Sequence, residues 1–327
     1  MNTLFVLVSL CCCIIPLPIV TSVATAPDAA AAKMSFNFGP DAWNWNPKWK
    51  KWAGPRPQPT KNKARITILD VGRIVSKVNG NGKDFEYVPT IALIEDGANK
   101  VIFDTGLPTD SGSLDRMIKS LKNLKIEPTA INKVILSHAH MDHTGHADTF
   151  KKAKVYHGNH LFDGFSLTYI GTYEFGGYNV TDNVEIVPTP GHTATCISAL
   201  INNAETLTAG KVQPLGTVAI TGDLFFKVED LTDTNIWKSS STDIAKQEES
   251  RKAIMCDADY IIPGHGPMFK VPAAQKVGCP KCLTVTYGDT FYNLCVVKLQ
   301  STMASCIAHS SNIPNPDLIF PGQQVCA

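Results

Sequence analysis

Four side chains able to bind a metal ion, His138, His140, Asp142 and His143, fall within six residues in the segment Ser137-His138-Ala139-His140-Met141-Asp142-His143-Thr144-Gly145-His146. The run Lys133 to Leu136 directly before it reads as a short buried strand, so the cluster lies on a loop at a strand end, where it can be turned toward one point. Imidazole nitrogen and carboxylate oxygen suit Zn, Fe or Mn, and no thiolate lies among them. His146, one turn further on, reads as a structural neighbour rather than a ligand.

Three later motifs each carry one more donor: Thr189-Pro190-Gly191-His192-Thr193, Thr221-Gly222-Asp223 and Pro263-Gly264-His265-Gly266. Taken singly, His192 or His265 is better read as a buried structural residue. Together and in this order, with Asp104-Thr105-Gly106 upstream, the motifs resemble the metallo-β-lactamase superfamily over about two hundred residues. The resemblance implies the α/β class and a four-layer αββα sandwich. It also implies two divalent metal ions, zinc or else iron or manganese. His138, His140 and His192 would hold the first ion, Asp142, His143 and His265 the second, and Asp223 would bridge them. The implied reaction is hydrolysis by a metal-bridging hydroxide, with Asp142 as a catalytic residue that orients the hydroxide or receives its proton. Asp70 matches an early strand-end carboxylate of the family and is expected as a structural support.

The periodicities agree with two mixed β-then-α halves. Thr90 to Glu95 and Lys100 to Phe103 flank the turn signal Asp96-Gly97, which predicts a hairpin. Leu114, Met117, Ile118 and Leu121 have amphipathic-helix spacing over Ser113 to Leu124. In the second half, strands are predicted near Val184 to Val187, Ile197 to Ile201 and Thr217 to Thr221. A helix from about Thr242 to Met255 follows them.

The bond that is cut stays open among ester, lactone, thioester, amide and phosphodiester, in a small-molecule or polymer substrate. Many true β-lactamases of this superfamily carry Cys or Ser where Asp223 stands. The glutathione-binding helical tail of glyoxalase II-like enzymes has no counterpart between His265 and Cys279, and Phe226 occupies the place of a tyrosine common in quorum-signal lactonases. The likeness is strongest to an animal branch linked to RNA cleavage. A formal net charge of +1 gives no nucleic-acid footprint, so a metal-dependent ribonuclease is kept as an alternative.

Residues 1–24 read as a signal peptide, since Leu4 to Val20 is almost wholly apolar and Ser22-Val23-Ala24 is a small-x-small cleavage pattern. Pro16 and Pro18 leave too short a helix to span a bilayer, so a secreted, extracellular protein without a membrane span is expected. Residues 25–60 form a Trp- and Pro-rich arm, 61–276 the hydrolase domain and 277–327 a separate module. Five of the seven cysteines beyond the signal, Cys279, Cys282, Cys295, Cys306 and Cys326, crowd into the last fifty residues, which reads as disulfides.

That terminal segment resembles a LysM domain of βααβ form, with Cys282 to Val285 as its first strand and a helix from Phe291 to about Lys298. After a second helix, Asn315 to Gln323 would supply the return strand and its loop. The resemblance implies binding of an N-acetylglucosamine polymer, chitin or peptidoglycan, by Gly288, Asp289, Thr290, Asn315, Pro316 and Ile319. With so little core, Cys282, Cys295, Cys306 and Cys326 are expected to staple the module. The expected protein is thus a secreted dinuclear hydrolase tethered to such a polymer. Its rival is a catalytically inactive carbohydrate-binding protein on a hydrolase scaffold.

Overall fold

Alternation along the strands divides the interior into three buried layers. In the strands Ile91–Asp96, Asn99–Phe103 and Lys133–Leu136, Ala92, Ile94, Val101, Phe103 and Ile135 face a large central core. Their neighbours Ile91, Leu93, Ile102, Val134 and Leu136 face an outer core with Met117 and Leu121. The later strands behave alike: Ala199, Ile201, Val218, Ile220 and Ile262 join the central core, while Leu200, Ala219 and Ile261 meet Ile254 and Met255 in a third cluster. Side-chain period two therefore gives each half of the sheet one shared face and one helix-covered face, the helix–sheet–sheet–helix order expected.

The computed structural model describes residues 62–76, 85–279, 282–285, 287–310, 313, 315–320 and 323–327. All belong to one unit, Asn46–Ala327. The expected signal peptide and the whole Trp-rich arm lie outside the described residues. Among those described, no helix is long and apolar enough to cross a membrane.

The two halves form one hydrogen-bonded path, because Ala64–Asp70 pairs antiparallel with Ile91–Asp96 and parallel with Ile197–Thr208. The Asp96-Gly97 hairpin forms in register, with Asp96 opposite Asn99. The strand Lys133–Leu136 pairs parallel with Asn99–Phe103 and with Lys154–His157. The expected strands at Ile197 and Thr217 are longer than their apolar runs and make a hairpin, Ile197–Thr208 with Lys211–Ile220, whose tip is exposed.

The first helix spans Ser111–Asn123 and buries Ser113, Met117 and Leu121 at four-residue spacing. The second spans Ile244–Asp257, its first turn capped by the Asp243 carboxylate, which accepts from Lys246 N at 3.1 Å. Its buried face is largely polar: Gln247, Ser250 and Arg251 lie beside Ile254 and Met255. Each polar group has an acceptor, Ser250 Oγ donating to Pro190 O (2.8 Å) and Arg251 to Leu224 O (2.7 Å) and to the buried Asp230 carboxylate (3.0 Å).

The C-terminal residues have a core of their own around Val285, Phe291, Leu294, Cys295, Cys306, Ile313 and Val325. Strand Cys282–Thr284 pairs antiparallel with Gln324–Cys326, and between them run a π-helical turn at Asn293–Lys298 and a helix at Met303–His309. The return strand thus falls beyond the segment expected to hold it, because Asn315 to Phe320 is spent on turns. Cys295 bonds Cys306, and Cys326 is also disulfide-bonded. Cys279 does not pair within the terminal segment: it bonds Cys256 at the end of the second helix. Among the described residues the unpaired cysteine is Cys196, whose burial pushes its thiol up to about 12.

Leu121 is fully buried and Leu124, one turn on, is 40% exposed. Leu121→Ala is expected to lower unfolding free energy by roughly 2–5 kcal/mol, and Leu124→Ala by no more than about 0.5, in urea titrations followed by fluorescence.

Candidate metal centre

Each segment singled out in the sequence follows the C-terminal end of a strand. Asp104 follows Asn99–Phe103, the His138–His143 loop follows Lys133–Leu136, His192 follows Val184–Pro188, Asp223 follows Lys211–Ile220 and His265 follows Tyr260–Ile262. Main-chain bonds tie these ends together: Ile197 N donates to Ser137 O (2.9 Å), Thr221 N to Ile262 O (3.1 Å) and Gly264 N to Phe225 O (2.8 Å).

All seven expected ligands meet. His138, His140, His192 and Asp223 make one group, and Asp142, His143, His265 and Asp223 a second, with donor atoms in each within 4.8 Å of one another. In the first, His140 Nδ1 lies 2.8 Å from His138 Nε2 and 3.0 Å from His192 Nε2. In the second, Asp223 Oδ1 lies 3.2 Å from His143 Nε2 and 3.1 Å from His265 Nε2. The other oxygen of Asp223 faces the first group, 3.5 Å from His192 Nε2 and 3.9 Å from His138 Nε2. Asp142 Oδ2 closes the second group at 3.3 Å from His143 and 3.5 Å from His265.

The donors fit a divalent cation on an observation independent of their identity. His143 Nε2, His265 Nε2 and Asp223 Oδ1 are buried and crowd together, yet among the described residues none makes a contact with the angles of a hydrogen bond. Orphaned buried donors and acceptors cost stability unless something charged satisfies them. Only His140 is exposed, leaving one open side.

Electrostatics prepare the donors. Burial pushes the Asp223 carboxyl up, but the His265 and His143 imidazoles outweigh it and hold it well below the usual range. Burial, then the nearby His143, holds His138 well below its ordinary value, and burial likewise lowers His192, so both offer neutral nitrogens. Burial also depresses His143, yet Asp223 and Asp104 together raise it well above its ordinary value.

The supporting contacts are less readily found in the sequence. Asp104, at φ 57°, accepts from Ser137 N (2.8 Å), Ser137 Oγ (2.9 Å) and His143 Nδ1 (2.7 Å), which aims His143 Nε2 inward. Val88 O accepts from His265 Nδ1 at 2.9 Å and does the same for that ring. Gln247 Nε2 donates to Asp223 O at 3.1 Å. Phe226 stacks on His265, and Tyr87 meets the same ring edge-on. Asp104 and Phe226 stand in or beside motifs noted in the sequence, whereas Tyr87, Val88 and Gln247 have no local pattern that marks them, since they become neighbours of the site only through the fold. Asp70 stays outside the site, bound by Arg116 at 2.9 Å and by Ser113, in the supporting role expected. His146 is buried and belongs to neither group.

In the C-terminal unit, several residues expected to touch carbohydrate already have intramolecular work. Asp289 accepts from Lys298 Nζ (2.9 Å), Thr290 Oγ1 from Asn293 N (3.1 Å) and Asn315 Oδ1 from Asp317 N (3.0 Å). Ile319 packs on the small core, Pro316 is half-buried, and Gly288 turns at φ 90°. Tyr287, which is not among the expected contacts, is 98% exposed beside this turn.

Residues 86–158 match the family model of the metallo-beta-lactamase superfamily. Metallo-beta-lactamase domain-containing protein 1 of Xenopus laevis is 35% identical over 199 residues, covering 58% of this chain and 76% of that protein. An uncharacterized protein of Caenorhabditis elegans is 30% identical over 198 residues, covering 60% of this chain and 52% of the relative, so the chain spans about half that protein's length. Among solved structures, a quorum-quenching N-acyl homoserine lactone lactonase aligns with 64% of this chain and 94% of its own, at 20% identity and a TM-score of 0.46.

Asp104→Asn keeps the size of the group that aims His143 but removes its charge. Metal affinity, measured by chelator competition, is expected to fall roughly 10–100-fold.

Proposed function

We propose that this chain, which belongs to the metallo-beta-lactamase superfamily, is a hydrolase that holds two divalent cations, zinc by preference, in the two donor groups sharing Asp223. The division of Asp223 carries the reading: one oxygen faces His143 and His265, the other His138 and His192. Bound there, a pair of cations would lower the pKa of water toward neutrality and polarise a carbonyl or phosphoryl oxygen. The chain's own part is to gather the donors at one point and to keep one side open at His140. Asp142 is the more exposed of the two shared-site carboxylates, at 18% for its side chain against 5% for Asp223. It is therefore the group able to orient an attacking water or accept its proton.

The protein is further proposed to be secreted and to be held on chitin or peptidoglycan by a LysM-type C-terminal unit. The apolar segment Leu4 to Val20 and the Cys256–Cys279 and Cys295–Cys306 disulfides support an oxidising compartment. The βααβ order of the terminal residues supports the module, and Tyr287 offers an exposed ring for stacking on a sugar.

Elemental analysis should find two divalent ions per chain, one in His265→Ala and none firmly held in Asp223→Ala. Hydrolysis across an ester, lactone, thioester, β-lactam and phosphodiester panel should fall at least about 100-fold in both variants. A wild-type protein without metal would refute the centre, and one with metal but inactive on every substrate would refute the reaction.

For the tether, full-length protein should sediment with insoluble chitin or peptidoglycan, and Tyr287→Ala should release it while leaving hydrolysis unchanged. No retention on either polymer removes the tether.

A further inference from the structure

Two aromatic rings wall the metal centre on the side of His265. Phe226 stacks on that imidazole with centroids 5.6 Å apart and planes 16° from parallel, and meets His192 edge-on at 5.6 Å. It is 3% exposed and offers only ring carbon. Tyr87 meets His265 edge-on at 5.4 Å and 81°, is 40% exposed, and has its phenol in the field of Asp223 and Asp142. Among the described residues that phenol makes no hydrogen bond.

Tyr87 is held firmly. It lies on the strand Phe85–Val88, paired antiparallel with Arg73–Ser76, with Tyr87 opposite Ile74. Its neighbour Val88 is buried and bonds His265 through its carbonyl, while Thr90 N donates to Gly264 O at 2.6 Å. The phenol is therefore placed by the same backbone that places a metal ligand. Strand alternation puts Phe85 on the face of Tyr87, with centroids 6.1 Å apart and 44% exposure, so an apolar strip runs outward from the centre. The charges on this strand pair, Glu86 and Arg73, are paired with each other.

We propose that Tyr87 contacts the substrate, its phenol donating a hydrogen bond to an oxygen of an uncharged acyl compound whose apolar chain lies along Phe85. The assignment rests on the hydrolase reading above and narrows it: a phenol donor beside the exposed Phe85 ring suits an oxygen that carries an apolar substituent. As a phenol, Tyr87 can donate to such an oxygen. Its hydroxyl is the kind of isolated polar group, set in apolar surroundings, that fixes a ligand's orientation.

Hexanoate and acetate, carboxylates shaped like the products of acyl hydrolysis, test this on cobalt-loaded full-length protein, with binding read from the metal's visible absorption. Wild type should bind hexanoate more tightly than acetate. Tyr87→Phe should weaken both by about threefold to tenfold, the worth of one hydrogen bond, with metal content and unfolding midpoint unchanged. Phe85→Ala should abolish the preference for hexanoate, and Tyr169→Phe, an exposed tyrosine on the Ser166–Tyr169 strand, should change nothing. Equal hexanoate affinity in wild type and Tyr87→Phe overturns the proposal, as does a wild type that binds neither carboxylate. If binding follows the expected pattern but no acyl substrate turns over, the hydrolase reading fails while Tyr87 keeps its contact.

Discussion

A carboxylate buried between two sets of imidazoles sets the terms for the whole sandwich. Asp223 is 4% exposed, and an ionised carboxyl taken out of water costs several kcal/mol unless opposite charge surrounds it. Within the protein that counterweight is the His265 and His143 imidazoles, which together hold the Asp223 carboxyl well below the usual range. Space around Asp223 is as strictly set as charge. A Cβ on Gly264 would stand 2.2 Å from Asp223 Oδ1, and one on Gly222, at φ 50°, would stand 2.5 Å from Ser137 Oγ. The glycines of the Thr-Gly-Asp and Pro-Gly-His motifs are thus room for the shared ligand and for the loop of the opposite half.

The second helix shows how the fold meets these demands from behind. Its buried face carries an amide, a hydroxyl and a guanidinium because it covers loop carbonyls as well as apolar strand faces. Gln247 holds the Asp223 carbonyl, Ser250 that of Pro190 and Arg251 that of Leu224. Arg251 also closes an almost fully buried pair with Asp230, whose other bond, from Phe226 N at 2.8 Å, fixes the residue that stacks on His265. Removing one partner of such a pair typically costs about 3–5 kcal/mol, so the Asp223–Asp230 loop is stiff.

Much of this is legible in the chain, and the limits have physical causes. The strand Lys133–Leu136, the hairpin at Asp96-Gly97 and the face of the Ser111–Asn123 helix are local patterns, and they stand where expected. The donor motifs are legible because the chemistry demands particular residues at strand ends. The second helix has caps but little amphipathic contrast, for the reason just given. The strands Lys154–His157, His160–Asp163 and Ser166–Tyr169 lie at a partly exposed edge and lack the apolar runs that mark buried strands. Tyr87 and Val88 reach the centre through contacts with a segment more than a hundred residues away, which no window along the chain can register.

The same distinction governs the cysteines. Crowding in the last fifty residues suggests a module closed on itself, and Cys295–Cys306 fits that picture. Cys256–Cys279 joins instead the end of the second helix to the start of the terminal segment, closing a loop of 23 residues and worth about 3 kcal/mol in chain entropy. Cys256 follows Met255, which is buried with Ile254 in the third cluster, two helical turns from the residue that holds Asp223. The link therefore fastens the start of the terminal segment to a packed helix and bypasses the intervening strand Phe269–Lys270, so Cys279 is held at the end of the helix that backs the metal centre.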